Sequence, residues 1–384
     1  MKKTYCLFAA NYLPNLGGVE RYTYNLAKRL ISGGNDVIVV TSNTDNLKDI
    51  DVLEGIKIFR LPCFNILGGR FPVLKLNKRC RELIKKLNQL HIDYIIVNTR
   101  FYIHSYFGVR FAAKRNLPSI VIEHGTNHFT VNNKLLDFLG HIYEHVITEL
   151  VKAKCKKFFG VSEACIKWLE HFKIQPEGIL YNAIDIENIQ ELMLDETINY
   201  RKRYFINDEA IIITYTGRLV KEKGVLKLIN AFKKLQEEHK NIFLFIAGDG
   251  ELMSEVEAYA NKNIIALGKV DFKHVVALLK QTDIFCLPTD YPEGFPTSVL
   301  EAVASKCFVI TTKSGGSKEL IIDKSYGIIM EENSVDEIYL SLKRAAIDRE
   351  YRYKSIERSY KYLLKNFTWD IVAEKVKKYF EVEG

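Results

Sequence analysis

The sequence predicts an α/β protein built from two Rossmann-like domains, each a doubly wound parallel sheet, facing a cleft. Three observations carry that prediction. The chain has 384 residues, more than one hydrophobic core usually serves. Short β-branched runs alternate with amphipathic stretches in two successive series, the pattern of parallel sheets with crossover helices. Glycine-bearing loops follow several of those runs directly, at the carboxyl ends of strands where open parallel sheets hold ligands.

The first series of strands is TYCLFAA (4–10), DVIVVTS (36–42), IKIFRLP (56–62), YIIVN (94–98) and SIVIEH (119–124). Helical stretches lie between most of them, notably VERYTYNLAKRLISGG (19–34), which stops on a Gly-Gly pair. The opening MKKTYCLFAANYLPN imitates a secretory signal, but its apolar run is short and broken by Asn11, so it reads as the first strand. The second series is AIIITYTGR (210–218), IFLFIAGDG (242–250), IIALG (264–268), IFCLPT (284–289) and CFVITT (307–312), each followed by a helix. The expected domains are 1–178, on the acceptor side, and 179–366, which holds the donor. A closing helix over about 367–384 is expected to fold back onto the first.

Composition, 47% hydrophobic and 27% charged, is that of a soluble globular protein. No apolar run approaches the roughly 20 residues needed to cross a bilayer. The seven cysteines include no C-x-x-C pair, as for incidental thiols in a reducing cytosol. The net charge of +8 is uneven. Residues 1–180 hold 26 Lys+Arg against 15 Asp+Glu, +11, and residues 181–384 hold 29 against 32, −3. An anionic surface would meet the first domain.

The loop GRLVKEKG (217–224) leaves a strand and enters a helix, and its Arg218 and Lys223 are fixed cations suited to a diphosphate. Gly224 is read as letting the backbone approach a ligand. In YPEGFPTSVLE (291–301), Glu293 sits in a Gly/Pro loop and Glu301 just inside a helix whose amides at Thr297, Ser298 and Val299 can face phosphate. A competing reading makes Ser298-x-x-Glu301 a capping box, and both roles stay open. NYLPNLGGVERY (11–22) is a glycine loop opening a helix but lacks the G-x-G-x-x-G spacing of a dinucleotide fingerprint. GDGEL (248–252) also lacks its third glycine, and no P-loop motif occurs. Asp49-Ile50-Asp51 reads as a solvated turn, not a metal site. HIYEH (141–145) fits H-x-x-E-H, a zinc-peptidase pattern. With no evident third ligand it reads as a helix near the acceptor side, and no metal is expected. A glycosidase pairing of Glu293 with Glu301 is disfavoured, because such carboxylates usually flank a substrate from separate elements.

Taken together, GGVER, EHGTN, GRLVKEKG, AGDGEL and above all EGFPTSVLE resemble the retaining family-4 glycosyltransferases of the GT-B fold, bacterial polysaccharide and glycolipid enzymes in particular. The resemblance runs over nearly the whole chain. It implies that Glu293 grips hydroxyls of the donor sugar, with Gly294 and Phe295 bringing backbone amides to it and Pro296 in the same donor-binding loop. It further implies that Glu301 accepts from ribose hydroxyls, Arg218 and Lys223 hold the diphosphate, and Gly17 and Gly18 face the phosphates. His124 stands near the sugar, and the base lies against Gly248 and the segment Gly268, Lys269, Val270. The implied reaction moves a hexose from a nucleotide sugar, UDP before GDP, to a lipid-linked or saccharide acceptor, without metal or other cofactor. The residues assigned to catalysis are His124, Arg218, Lys223 and Glu293. A soluble glucan-synthase-like extender and a catalytically silent nucleotide-sugar-binding protein are the alternatives. The basic, apolar stretch 64–89 suggests peripheral contact with anionic membrane. Without aromatics interleaved among its charges it does not suggest nucleic acid. The expected location is cytoplasmic, on the inner membrane face where it docks.

Overall fold

The computed structural model describes residues 2–15, 17–131 and 133–383. The outermost expected limits, residue 1 for the first domain and residue 384 for the tail, lie outside the described residues. The chain divides into two compact units, Met1–Asn182 with Trp369–Gly384, and Ala183–Thr368.

The first unit is built on β1 (Thr4–Phe8), β2 (Asp36–Ser42), β3 (Ile50–Leu53), β4 (Ile56–Leu61), β5 (Cys63–Ile66), β6 (Phe71–Leu74), β7 (Tyr94–Asn98), β8 (Ser119–Glu123), β9 (Phe158–Gly160) and β10 (Gly178–Ile179). Eight of these form one sheet in the order β10-β9-β8-β7-β1-β2-β4-β3, while β5 and β6 make a separate antiparallel ribbon. The central strands are apolar nearly throughout because both sheet faces are covered; every residue of β7 is buried. All neighbours in the eight-stranded sheet run parallel except β3, which pairs antiparallel with β4.

That exception corrects the solvated-turn reading of Asp49-Ile50-Asp51. Ile50 and Asp51 lie in an edge strand joined to β4 through Glu54 and Gly55, both at positive φ (48° and 83°), the two-residue hairpin geometry that matches strand twist. Asp51 accepts from Arg60 at 3.2 Å, and Asp49 takes both arms of Arg79 at 2.5 and 2.6 Å. The tail helix Trp369–Glu383 packs within this unit. Trp369 meets Tyr22 edge-on at 4.9 Å, Phe380 stacks on Tyr94 at 4.5 Å, and Asp370 pairs with Arg29 at 2.8 Å.

The second unit holds β11 (Ile211–Thr216), β12 (Ile242–Ala247), β13 (Ile264–Gly268), β14 (Ile284–Leu287), β15 (Phe308–Thr312) and β16 (Ile328–Met330), parallel throughout in the order β13-β12-β11-β14-β15-β16. Strand order reverses between β11 and β14. In an open α/β sheet a ligand crevice forms outside the carboxyl ends at such a reversal. The loops leaving β11 and β14 are GRLVKEKG and the one bearing Glu293.

Candidate functional site

At the switch point of the second unit the two loops are bound to each other through their charges. Lys223, only 9% exposed, forms an ion pair with Glu293. Tyr291 lies under both cations, its ring 4.9 Å from the Arg218 guanidinium and 5.6 Å from the Lys223 ammonium, within cation–π range. Arg218 itself is exposed, while its carbonyl accepts from the buried Tyr215 hydroxyl at 2.8 Å. The result is a loop pair with one cation neutralised by a carboxylate and a second presented to solvent. Tyr291 was missed by sequence reasoning, although an aromatic directly before Pro-Glu-Gly-Phe was its signal.

Gly224 has a different task from the one expected. It sits at φ 72°, and a Cβ there would lie 2.1 Å from the Pro288 carbonyl oxygen. It lets the loop after β11 approach the end of β14 and caps the helix Val225–Glu238, so the close contact is with protein backbone.

The helix after Glu293 also departs from expectation. It spans Thr297–Ala304 with Pro296 as its cap, and Ser298 is already inside it. The capping-box reading of Ser298 and Glu301 is therefore overturned, because the helix starts before Ser298. Glu301 is buried at 6% exposure. The expectation of a free Val299 amide is corrected as well: that N–H donates to the Pro296 carbonyl at 3.1 Å, a tight first turn. Thr297 and Ser298 are half-buried at the helix start, and Gly294 and Phe295 are held from behind by the turn after β15. The Gly316 N–H donates to the Gly294 carbonyl at 3.1 Å, the Ser314 hydroxyl donates to the Tyr291 backbone carbonyl at 2.5 Å, and the Phe295 ring fills the space over Gly316. Ser314, Gly315 and Gly316 were also missed. The strand-then-glycine rule that singled out the other loops would have found them.

The base-side residues divide. Gly248 packs against the end of β11, where a Cβ would lie 1.8 Å from the Gly217 carbonyl oxygen, and its N–H donates to the Gly268 carbonyl at 2.9 Å. Three glycines thus knit the ends of β11, β12 and β13. Lys269 and Val270 line a pocket of about 420 Å³ with Tyr200, Arg203, Tyr204 and His274.

In the first unit, Gly17 caps the helix Gly18–Ser32 and Gly18 has open space around it. The carboxylate of Glu20 folds back beside Gly17, where it accepts from that backbone N–H, and burial raises its pKa. The helix start expected to face phosphate therefore carries an acid of its own. His124, just past β8, bonds through Nε2 to Asn98 Oδ1 at 2.8 Å, and Asn98 Nδ2 donates to Thr23 at 3.0 Å. That pairing assigns the proton to Nε2 and leaves the Nδ1 lone pair available. Burial lowers the His124 pKa to about 3, so the ring is neutral.

Behind His124 lies a buried network that sequence reasoning did not predict. Arg100, 1% exposed, pairs with Glu123 at 2.5 Å and with Glu144, and its guanidinium lies 3.8 Å from the centre of the Phe172 ring. The Glu123 carboxylate accepts from the N–H groups of His124 and Gly125 at 3.0 and 2.8 Å. Glu144 also meets His128 Nδ1 at 2.6 Å. Both glutamates were in view, in EHGTN and HIYEH, but their partner Arg100 is remote in sequence.

Comparison with known proteins follows the same division. Residues 16–188 match the family described as Glycosyltransferase Family 4, and residues 196–362 match Glycosyl transferases group 1. An uncharacterized glycosyltransferase of Methanocaldococcus jannaschii is 27% identical over 387 residues, covering 98% of this chain and 97% of that protein. The GPI3 subunit of phosphatidylinositol N-acetylglucosaminyltransferase from Saccharomyces cerevisiae is 24% identical over 388 residues, 92% of this chain and 78% of that protein. Among solved structures, Anabaena HepE in complex with UDP-glucose aligns at a TM-score of 0.72 and 15% identity, covering 100% of both chains. At that identity the likeness is one of fold.

Proposed function

The chain belongs to the family-4 glycosyltransferases with the GT-B fold, and from that premise we propose that it transfers a hexose from a UDP-sugar, with retention, to a lipid-linked or saccharide acceptor in surface polysaccharide or glycolipid synthesis. The observation that carries the reading is the pair of loops at the β11/β14 reversal, where Arg218 and Lys223 converge on Tyr291 and Lys223 meets Glu293. Support for the donor class comes from HepE, whose fold this chain shares and which binds UDP-glucose.

When a nucleoside diphosphate departs, the sugar becomes oxocarbenium-like and negative charge grows on phosphate. Arg218, always charged and exposed, is assigned to that growing charge. Lys223 would divide its protons between phosphate and Glu293, fixing the carboxylate for donor-sugar hydroxyls. Glu301 is assigned to the ribose. His124 is assigned to the sugar side, where a neutral imidazole offers a hydrogen bond and no cation. Added Mg²⁺ or Mn²⁺ is not required, because the cations at the diphosphate belong to the chain.

Thermal stabilisation by a panel of nucleotide sugars, followed by release of UDP on adding acceptor, tests the reading. Arg218→Ala should lower turnover about a hundredfold, roughly 3 kcal/mol, with a smaller loss of donor affinity. An equal effect from Arg110→Ala, an exposed arginine of the first unit, would remove the assignment.

For the acceptor we propose docking on an anionic bilayer through the first unit. Support comes from the ribbon β5–β6 and the helix Lys134–Lys152, which expose Phe64, Ile66, Leu136, Phe138, Ile142 and Val146. Arg70, Lys75 and Lys78 lie exposed on and after the ribbon. Each basic residue near anionic lipid contributes about 1 kcal/mol. Phe138→Asp with Ile142→Asp should abolish sedimentation with phosphatidylserine vesicles at low salt. Undiminished sedimentation would rule out this face.

A further inference from the structure

Three histidines from three separate elements converge in the first unit, beside the Arg100 network and apart from the residues assigned above to donor and sugar. His128 follows β8, His145 lies on the helix Lys134–Lys152, and His171 ends the helix Glu163–His171. One ring nitrogen from each falls within 4.8 Å of the other two. The ring centroids are 5.1 to 5.6 Å apart. We propose that His128, His145 and His171 form a binding site for a divalent transition metal ion, with Zn²⁺ the expected occupant.

The chemistry of the surroundings supports it. A metal-bound histidine typically donates its other N–H to a carboxylate, which fixes the tautomer and ring plane. His128 has that partner: Nδ1 meets Glu144 at 2.6 Å, and Glu144 is anchored by Arg100. With the proton on Nδ1, Nε2 carries the lone pair. Zn–N bonds of about 2.0–2.1 Å place tetrahedral ligand nitrogens about 3.3 Å apart, so the site closes by a modest turn of the two exposed rings, His145 and His171. Trp168 stacks against His171 at 4.9 Å with an interplanar angle of 4°, limiting where that ring goes. The nearby cation Arg100 is outweighed by its two carboxylates, Glu123 and Glu144. Three imidazoles favour Zn²⁺, Co²⁺ or Ni²⁺ over Mg²⁺ or Ca²⁺.

The H-x-x-E-H pattern of 141–145 is thus reassigned within the fold. Glu144 orients a ligand, His145 is one, and His141, stacked on His128 at 4.1 Å, is not. The ion would tie the segment after β8 to two helices, four residues beyond His124.

The test uses the untagged full chain, stripped with chelator and titrated with Co²⁺ and then Zn²⁺. One equivalent of Co²⁺ should give visible d–d absorption that Zn²⁺ bleaches and Mg²⁺ does not. His145→Ala and His171→Ala, both at exposed positions, should weaken Co²⁺ binding at least a hundredfold without lowering the melting temperature of the stripped protein. Glu144→Gln should weaken it about 10- to 100-fold, and His141→Ala should leave it unchanged. Co²⁺ bound equally well by wild type, His145→Ala and His171→Ala would overturn the proposal.

Discussion

Among individual residues, one buried histidine and two half-buried ones set a pH dependence whose sign is fixed. His104 donates through Nε2 to the Val40 carbonyl, 2.9 Å away, and burial lowers its pKa to about 4. His128 is lowered to about 4 and His124 to about 3, burial being the first cause for each. In the unfolded chain these rings titrate near 6.5. Between that value and the folded ones the unfolded state binds more protons, so stability is complete above pH 6.5 and declines as pH falls toward 4 and then 3. Each ring contributes a slope of at most about 1.4 kcal/mol per pH unit. Chelator-treated protein should melt progressively lower from pH 7 to 5.5, above the ordinary carboxylate range. A melting temperature that holds level or rises over that interval would contradict the burial of these rings. Arg100 marks the limit of what residues reveal before folding. Its charge gives no sign that it is 1% exposed, and its two glutamates lie 23 and 44 positions away.

For single elements, the long apolar runs were legible and the short ones were not. β1, β2, β7 and β8, like β11 and β12, are runs of five to seven residues whose burial on both faces shows in their composition. β9, β10 and β16 have three, two and three residues, too few for any period to declare itself. The helix at Thr297 was legible, but its first residue was not. Pro296 set the start where a serine capping signal pointed later, since element ends are fixed by local backbone geometry. The loop of Glu293 was legible as glycine-rich; its support, the turn at Ser314–Gly316, was not, because its contact is tertiary. Gly316 tests that support. Its φ is −76°, so alanine fits the backbone there, but the added Cβ would lie 2.1 Å from the Phe295 ring. Gly316→Ala should cost about 1–3 kcal/mol by overpacking and depress turnover well beyond Gly34→Ala. Gly34→Ala, at φ 83°, carries a left-handed backbone penalty that Gly316→Ala does not, but a Cβ there would lie in open space. Equal turnover in the two variants would show that Phe295 does not hold the loop in place.

For the whole molecule, architecture and family were legible because they rest on order: strand, loop and helix repeated twice, with cations, carboxylates and glycines at matching places behind the strands. The reversal of strand order at β11 and β14 was not legible, since pairing order depends on which strands find each other in space. It is this reversal that brings Arg218, Lys223, Tyr291 and Glu293 into one neighbourhood. The division of the chain has its own consequence. Polypeptide enters the second unit at Ala183 and leaves it at Thr368, and there the two passages run side by side, Ile184 bridged to Thr368 and its N–H donating to the Phe367 carbonyl at 2.9 Å. A cassette whose ends touch can be lifted out of its host without stretching either cut. Expressed alone, residues 183–368 should fold cooperatively and keep whatever UDP affinity the intact chain has through that half, read by calorimetry. A fragment that stays unfolded would mean that this half depends on its host for more than attachment.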